Sequence, residues 1–151
     1  LFADLVPEVF DGQHLGEALS RACQETDKIL IPRAKLGNRE LIQELEKKEG
    51  LIIHDIATYD TFYERQDAID ESKEFDAGTI DCAVFTSAST VRGFAAATPG
   101  LDYKKVRAAC IGRQTKAEAD ALGMETYMSS CARIDSLVQL VIELKEKDQK
   151  N

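Results

Sequence analysis

Five short stretches carry the side chains that could do chemistry: Pro32-Arg33-Ala34-Lys35, Ala57-Thr58-Tyr59, Thr86-Ser87-Ala88-Ser89, Gly112-Arg113-Gln114-Thr115 and Ser129-Ser130-Cys131-Ala132-Arg133. They are rich in hydroxyl and guanidinium groups, and five of the eight arginines (Arg33, Arg39, Arg92, Arg113 and Arg133) lie in or close to them. Arginine offers a planar fork of donors to a carboxylate, and Ser, Thr and exposed amides at a helix start add donors at the positive end of the helix. The pattern points to recognition of carboxylate or phosphate. Each residue also has a plainer role: Ser87, Ser89 and Thr115 can cap helices, and the arginines can solvate a rim. Tyr59 offers something else. A phenol with a reference pKa of about 10 donates a hydrogen bond to a departing oxygen without ionising. Packed against a connector, the same side chain would be structural.

Other chemistries find no support in the sequence. There is no GxGxxG and no GxxxxGK[ST], hence neither a dinucleotide fingerprint nor a phosphate loop. Ser87 lacks the GxSxG elbow of a nucleophilic serine. A phosphoryl-accepting receiver needs acidic groups clustered at the strand ends, and the first, third and fourth strands present none. His54 reads as a packing or hydrogen-bonding residue and His14 as solvated, so no zinc cluster is expected. Cys23, Cys82, Cys110 and Cys131 are spaced by 59, 28 and 21 residues, with no CxxC pair. Free thiols in a reducing, cytoplasmic setting are the expectation.

Charge narrows the class further. The 151 residues carry a formal net charge of −8, with −4 over residues 1–58, −5 over 59–80 and +1 over 81–151. Duplex nucleic acid requires a concentrated basic stripe, which this balance disfavours, whereas capture of a small anion depends on local charge. The longest apolar runs, such as Ile29-Leu30-Ile31, fall far short of the roughly 20 residues that cross a bilayer. No membrane partner is expected. Residue 1 is Leu and no signal peptide is legible, which suggests a fragment or a trimmed product.

The elements that must position these side chains alternate. Leu15, Ala18, Leu19, Ala22 and Cys23 make one helical stripe after Asp11-Gly12. Lys28 to Pro32 reads as a buried strand ended by the proline. Asn38 is a plausible N-cap for a helix with Leu41, Ile42 and Leu45 inward, stopped at Gly50. A strand from Leu51 to Ile56 follows, then loss of periodicity over 57–80. Ile80 to Phe85 is the next strand, with hydroxyls ready to cap a helix carrying Val91 and Phe94. Val106 to Ile111 is a strand turning at Gly112 into a helix that ends near Gly123. Met124 to Met128 is a weak strand, and Ile134, Leu137, Val138 and Val141 face inward on a last helix. The fold class is α/β, a mostly parallel sheet covered on both faces in flavodoxin-like fashion. Ligands of such sheets gather beyond the carboxyl ends of the strands, where the five stretches lie.

The succession DLVP (4–7), ILIPRAKLGNREL (29–41), TYDT (58–61), DCAVFTSASTVRGF (81–94) and CIGRQTKAEADALG (110–123) resembles uroporphyrinogen-III synthase. FTSAS with V-x-x-F, followed by IG-x-x-T-x-x-x-A-x-x-x-G, is the specific part. Proline is common in the family after the Thr-Ser and Ile-Gly pairs, where this chain has Ala88 and Arg113. The resemblance implies two α/β domains joined by paired crossovers, with the active site in the cleft between them. On that pattern residues 1–56 complete the second domain, 57–80 hold the return crossover and 81–151 supply most of the first. The family's N-terminal portion is absent. Three states would cover the edges left open: the missing N-terminal segment, a second copy by segment exchange, or refolding into one compact five-strand domain.

The family's reaction, by the same resemblance, converts hydroxymethylbilane, a linear tetrapyrrole with eight carboxylates, into uroporphyrinogen III with ring D inverted and water lost. It needs no metal or organic cofactor. Loss of hydroxide gives an azafulvene; attack by the substituted carbon of ring D gives a spirocyclic pyrrolenine that fragments and recloses. The family's cleft tyrosine maps onto Tyr59 as acid or hydrogen-bond donor. The hydroxyls of its strand-end motifs map onto Ser87, Ser89 and Thr115 as substrate positioners, and Arg33, Arg92 and Arg113 are further binding candidates. A noncatalytic flavodoxin-like anion-binding module, or an inactive structural domain of a larger tetrapyrrole-biosynthesis protein, would share the arginine-rich loops.

Overall fold

The computed structural model describes residues 2–64 and 69–149. Asp11 starts the first helix, α1 (Gly12–Ala22), by accepting the His14 amide proton on its carboxylate at 2.8 Å. Then come β1 (Lys28–Ala34), α2 (Glu40–Glu46) and β2 (Ile52–Tyr59). Asn38 is not the N-cap expected from sequence: α2 begins at Glu40 with Arg39 at the cap position and no side-chain capping bond there. Asn38 Oδ1 accepts the Glu40 amide proton at 2.8 Å from one residue earlier. β1 pairs parallel with β2 from Lys28↔Ile52 to Arg33↔Ala57, with an irregularity before Ala34↔Tyr59.

Pro32 does not end β1 as the sequence led us to expect. Ile52 N–H donates to Asp27 O at 2.9 Å and Lys35 N–H to Tyr59 O at 2.9 Å, so the odd-numbered residues of β1 bond to β2. By alternation the Pro32 nitrogen faces away from β2, toward an edge where no described strand pairs, and no ladder bond is lost. The core of this unit joins Ile31, Ile42 and Leu45 to Leu19, Ile29, Leu41, Leu51 and Ile53. Gly16 brings α1 close to α2, because a Cβ there would lie 2.5 Å from Glu44 Cβ. Leu30, Ile52 and Ile56 are exposed, so the expectation of cover on both faces is not met in this unit among the described residues.

The chain divides into two compact units, Leu1–Phe62 and Tyr63–Asn151. The second contains α3 (Glu71–Asp76), β3 (Ala83–Phe85), α4 (Ala88–Ala97), a 3-10 turn at Tyr103–Lys105, β4 (Arg107–Cys110), α5 (Arg113–Ala121), β5 (Glu125–Met128) and α6 (Ile134–Asp148). β3 is half the expected strand. All its ladders are parallel, in the order β3-β4-β5, with Phe85, Cys110 and Met128 in line at the carboxyl edge. The described strands therefore form a two-stranded and a three-stranded sheet, not one five-strand domain.

α4 and α5 pack side by side over one face of the second sheet, where Phe85, Val91, Val106, Ala108, Cys110, Ala119 and Met124 share a core with Phe75 from α3. Phe94 meets Phe75 and Phe85 edge-on, with ring centroids 6.0 and 5.5 Å apart. The acidic middle stretch thus contributes an aromatic anchor despite its missing periodicity. Alternation puts Ala109 on the opposite face, where α6 packs with Leu137 and Leu144 buried.

Candidate functional site

The seven residues singled out in the sequence fall into two groups, one on each unit. Ser87, Ser89, Arg92, Arg113 and Thr115 belong to the second unit, Arg33 and Tyr59 to the first.

On the second unit, three parallel strands end side by side, so the turns after Phe85, Cys110 and Met128 are neighbours. Ile111 N–H donates to Phe85 O and Ser129 N–H to Cys110 O, each at 3.0 Å. The Ser129 hydroxyl, 3% exposed, lies 2.8 Å from the carbonyl oxygens of both Ile111 and Cys131 and donates to one at a time. It ties the second turn to the third. Sequence reading named Ser129 only as part of a loop; its burial is what marks it as a staple.

Each turn leads into a helix, and the three starts differ. At α4, Ser87 Oγ accepts the Thr90 amide proton at 3.2 Å and Thr90 Oγ1 accepts that of Ser87 at 3.3 Å, a reciprocal cap. The Ser87 and Ser89 hydroxyls are 2.9 Å apart. At α5 and α6 the cap positions, Gly112 and Arg133, make no side-chain capping bond. Arg113 opens α5 and is exposed, whereas Thr115 is buried at 4% exposure. Arg133 Nη2 lies 3.3 Å from Asp135 Oδ2 on the surface.

Arg92 faces sideways across α4 and α5. Its Nη1 donates to Glu118 Oε2 at 2.8 Å. The nearby Tyr63 is the main influence raising its pKa, with Glu118 adding to it.

In the first unit, β1 and β2 end together. Tyr59 closes β2 with its side chain 62% exposed, and its carbonyl accepts from Lys35 N–H. Lys35 Nζ approaches Asp60 at 3.4 Å. Arg33 is committed locally: Nε and Nη2 grip Asp55 at 2.7 and 2.8 Å, and Nη1 donates to Gly37 O at 2.8 Å. The grip holds the Asp55 carboxyl below its ordinary pKa. A ligand carboxylate would have to displace Asp55. This partner was missed because Asp55 reads in sequence as an interruption of a strand; the β1/β2 register brings it to Arg33.

With this geometry described, comparison with known proteins decides the family. The family profile "Uroporphyrinogen-III synthase HemD" matches residues 1–139. The chain belongs to the uroporphyrinogen-III synthase family. "Porphyrin biosynthesis protein HemD" of Ruminiclostridium josui is 28% identical over 144 residues, covering 95% of this chain and 28% of that protein. The crystal structure of uroporphyrinogen-III synthetase from Helicobacter pylori superposes with a TM-score of 0.62 at 20% identity, covering 86% of this chain and 59% of that one. Wild-type uroporphyrinogen III synthase of the extremely thermophilic bacterium Thermus thermophilus gives 0.53 at 16% identity, covering 88% and 55%. These structures share the fold. The chain spans little more than half the length of the solved relatives and about a quarter of the curated one.

No described helix is long and apolar enough to cross a membrane. Among the described residues no group of three or more His, Cys, Asp and Glu side chains could hold a metal ion.

Proposed function

We propose that this chain supplies part of the active site of a uroporphyrinogen-III synthase, acting in the loss of water and ring closure of hydroxymethylbilane with inversion of ring D. The observation that carries the reading is the alignment of three strand ends in the second unit, with Gly112 and Arg133 at the cap positions of the adjoining helices making no side-chain capping bond and with Ser89 and Arg113 beside those ends. Amide donors at the positive ends of helices, together with a guanidinium, suit the carboxylates of a linear tetrapyrrole.

The residues divide the work. Arg113 and Ser89 reach substrate carboxylates, while Ser87 and Thr115, one a cap and one buried, hold the turns in shape. Arg33 braces the end of β1 through Asp55. The Tyr59 phenol donates a hydrogen bond to the departing hydroxyl, and water leaves overall as the azafulvene forms and the ring closes. Holding the ends of a flexible chain together supplies the larger share, roughly 7–11 kcal/mol in the best intramolecular cases, against about 10²–10⁴-fold for one proton donor. We assign the remaining walls of the cleft to the family's N-terminal portion or to a second copy by segment exchange. Residues 1–56 and 81–151 then belong to two different domains, with 57–80 crossing between them.

The share of the curated relative that the chain spans favours one further reading, a domain of a longer tetrapyrrole-biosynthesis protein that turns over only with its neighbours. Hydroxymethylbilane incubated with the protein carrying this chain distinguishes them, with product isomers separated chromatographically. Uroporphyrinogen III in excess over the uninverted isomer supports the synthase; the uninverted isomer alone, at the rate found without protein, rejects it.

A further inference from the structure

A glycine in the middle of α4 marks a docking seat. Gly93 lies well inside the helix, where glycine is unfavourable compared with alanine, and neither a turn nor a positive φ calls for it. A Cβ at this position would stand 3.0 Å from Tyr63 Cδ1 and 3.3 Å from Cε1, tighter than an ordinary contact, so the tyrosine ring would have to give way by a few tenths of an ångström. The neighbouring Arg92 is held to Glu118 of α5 at 2.8 Å, and Tyr63 is close enough to be the main influence raising the Arg92 pKa. Tyr63 is also the residue at which the second unit begins. Its ring is seated where the chain arrives from the first unit.

We infer that Tyr63 is a positioning residue, a latch whose ring sits against Gly93, so that the connector is pinned to α4 at one place. The consequence for catalysis rests on the synthase reading above. Tyr63 is four positions along the chain from Tyr59, a span that extends at most about 14 Å. Pinning Tyr63 limits how far the Tyr59 phenol can range from α4, whereas a free connector would let the acid group wander.

Fluorine NMR of the chain labelled with 3-fluorotyrosine tests the seat, with the Tyr63 resonance assigned by its loss in Tyr63→Phe. Gly93→Ala should shift that resonance toward its position in the urea-unfolded chain. The Tyr103 resonance, whose hydroxyl lies 3.2 Å from Ala95 O on the same helix, should stay in place and report that α4 is folded. Alanine favours the helix, so this variant displaces the ring without weakening α4. On the uroporphyrinogen III assay, Tyr63→Ala and Gly93→Ala should lower kcat about tenfold with KM little changed, and Tyr63→Phe, which keeps the ring against Gly93, should retain most of kcat. An unmoved Tyr63 resonance in Gly93→Ala overturns the latch. A moved resonance with unchanged kcat in both variants overturns its positioning role. If the unaltered protein makes no uroporphyrinogen III, the synthase reading and the role in turnover fall together, while the fluorine shift still decides the seat.

Discussion

At the scale of single side chains, surroundings divide the proposed roles into groups that would act and groups that would hold. Tyr59 is exposed at the end of a strand, so Tyr59→Phe should leave folding unchanged and lower kcat by about 10²-fold with KM little affected, as loss of one proton donor does. Steady-state kinetics showing unaltered turnover would remove the phenol from that role. Arg33 and Asp55 form a brace with a predictable acid response. A carboxyl whose pKa is lower in the folded chain contributes stability above its unfolded value, about 3.9, and that contribution disappears as pH falls through the lower folded value. Asp55→Asn should therefore flatten the dependence of stability on pH below about 4, measured by denaturant unfolding at a series of pH values. The four free cysteines should react in order of access. Cys131 is exposed, whereas burial pushes the Cys110 thiol up to about 11, so alkylation at neutral pH should label Cys131 first and Cys110 only on unfolding. Peptide mapping after timed labelling reads that order.

At the scale of elements, helix starts decide where donors point. Ser87→Ala removes one half of the reciprocal cap on α4 and should destabilise the second unit by about 1 kcal/mol, seen in its chemical unfolding. The alternation of elements and the capping hydroxyls after β3 are visible in sequence because they rest on local propensity, whereas α2 ends at Glu46 with Lys47 as its C-cap, short of Gly50, whose φ is +84. What escaped depends on partners distant in the chain. Pro32 looks like a stop until its nitrogen is seen to face an unpaired edge. Asp55 looks like a flaw in a strand until register sets it against Arg33, and Thr115 looks available until α5 turns it inward. Gly93 offered one legible signal, a glycine inside a helical pattern, but the reason for it lies in a tyrosine 30 residues earlier.

For the whole molecule, the two units have separate cores, so damage to one should spare the other. Leu45 is fully buried in the first, and Leu45→Ala should cost that unit about 2–5 kcal/mol while amide exchange in β4 and α5 is unchanged. The proposed function needs both units, because Tyr59 belongs to the first and Ser89 and Arg113 to the second. The most direct test is a kinetic comparison on hydroxymethylbilane of the unaltered protein, Tyr59→Phe, Arg113→Gln and the double variant, with uroporphyrinogen III quantified apart from the uninverted isomer. The account predicts that Tyr59→Phe lowers kcat, that Arg113→Gln raises KM, and that the double variant loses on both. Equal formation of uroporphyrinogen III by all four proteins, or none above the rate without protein, would contradict it.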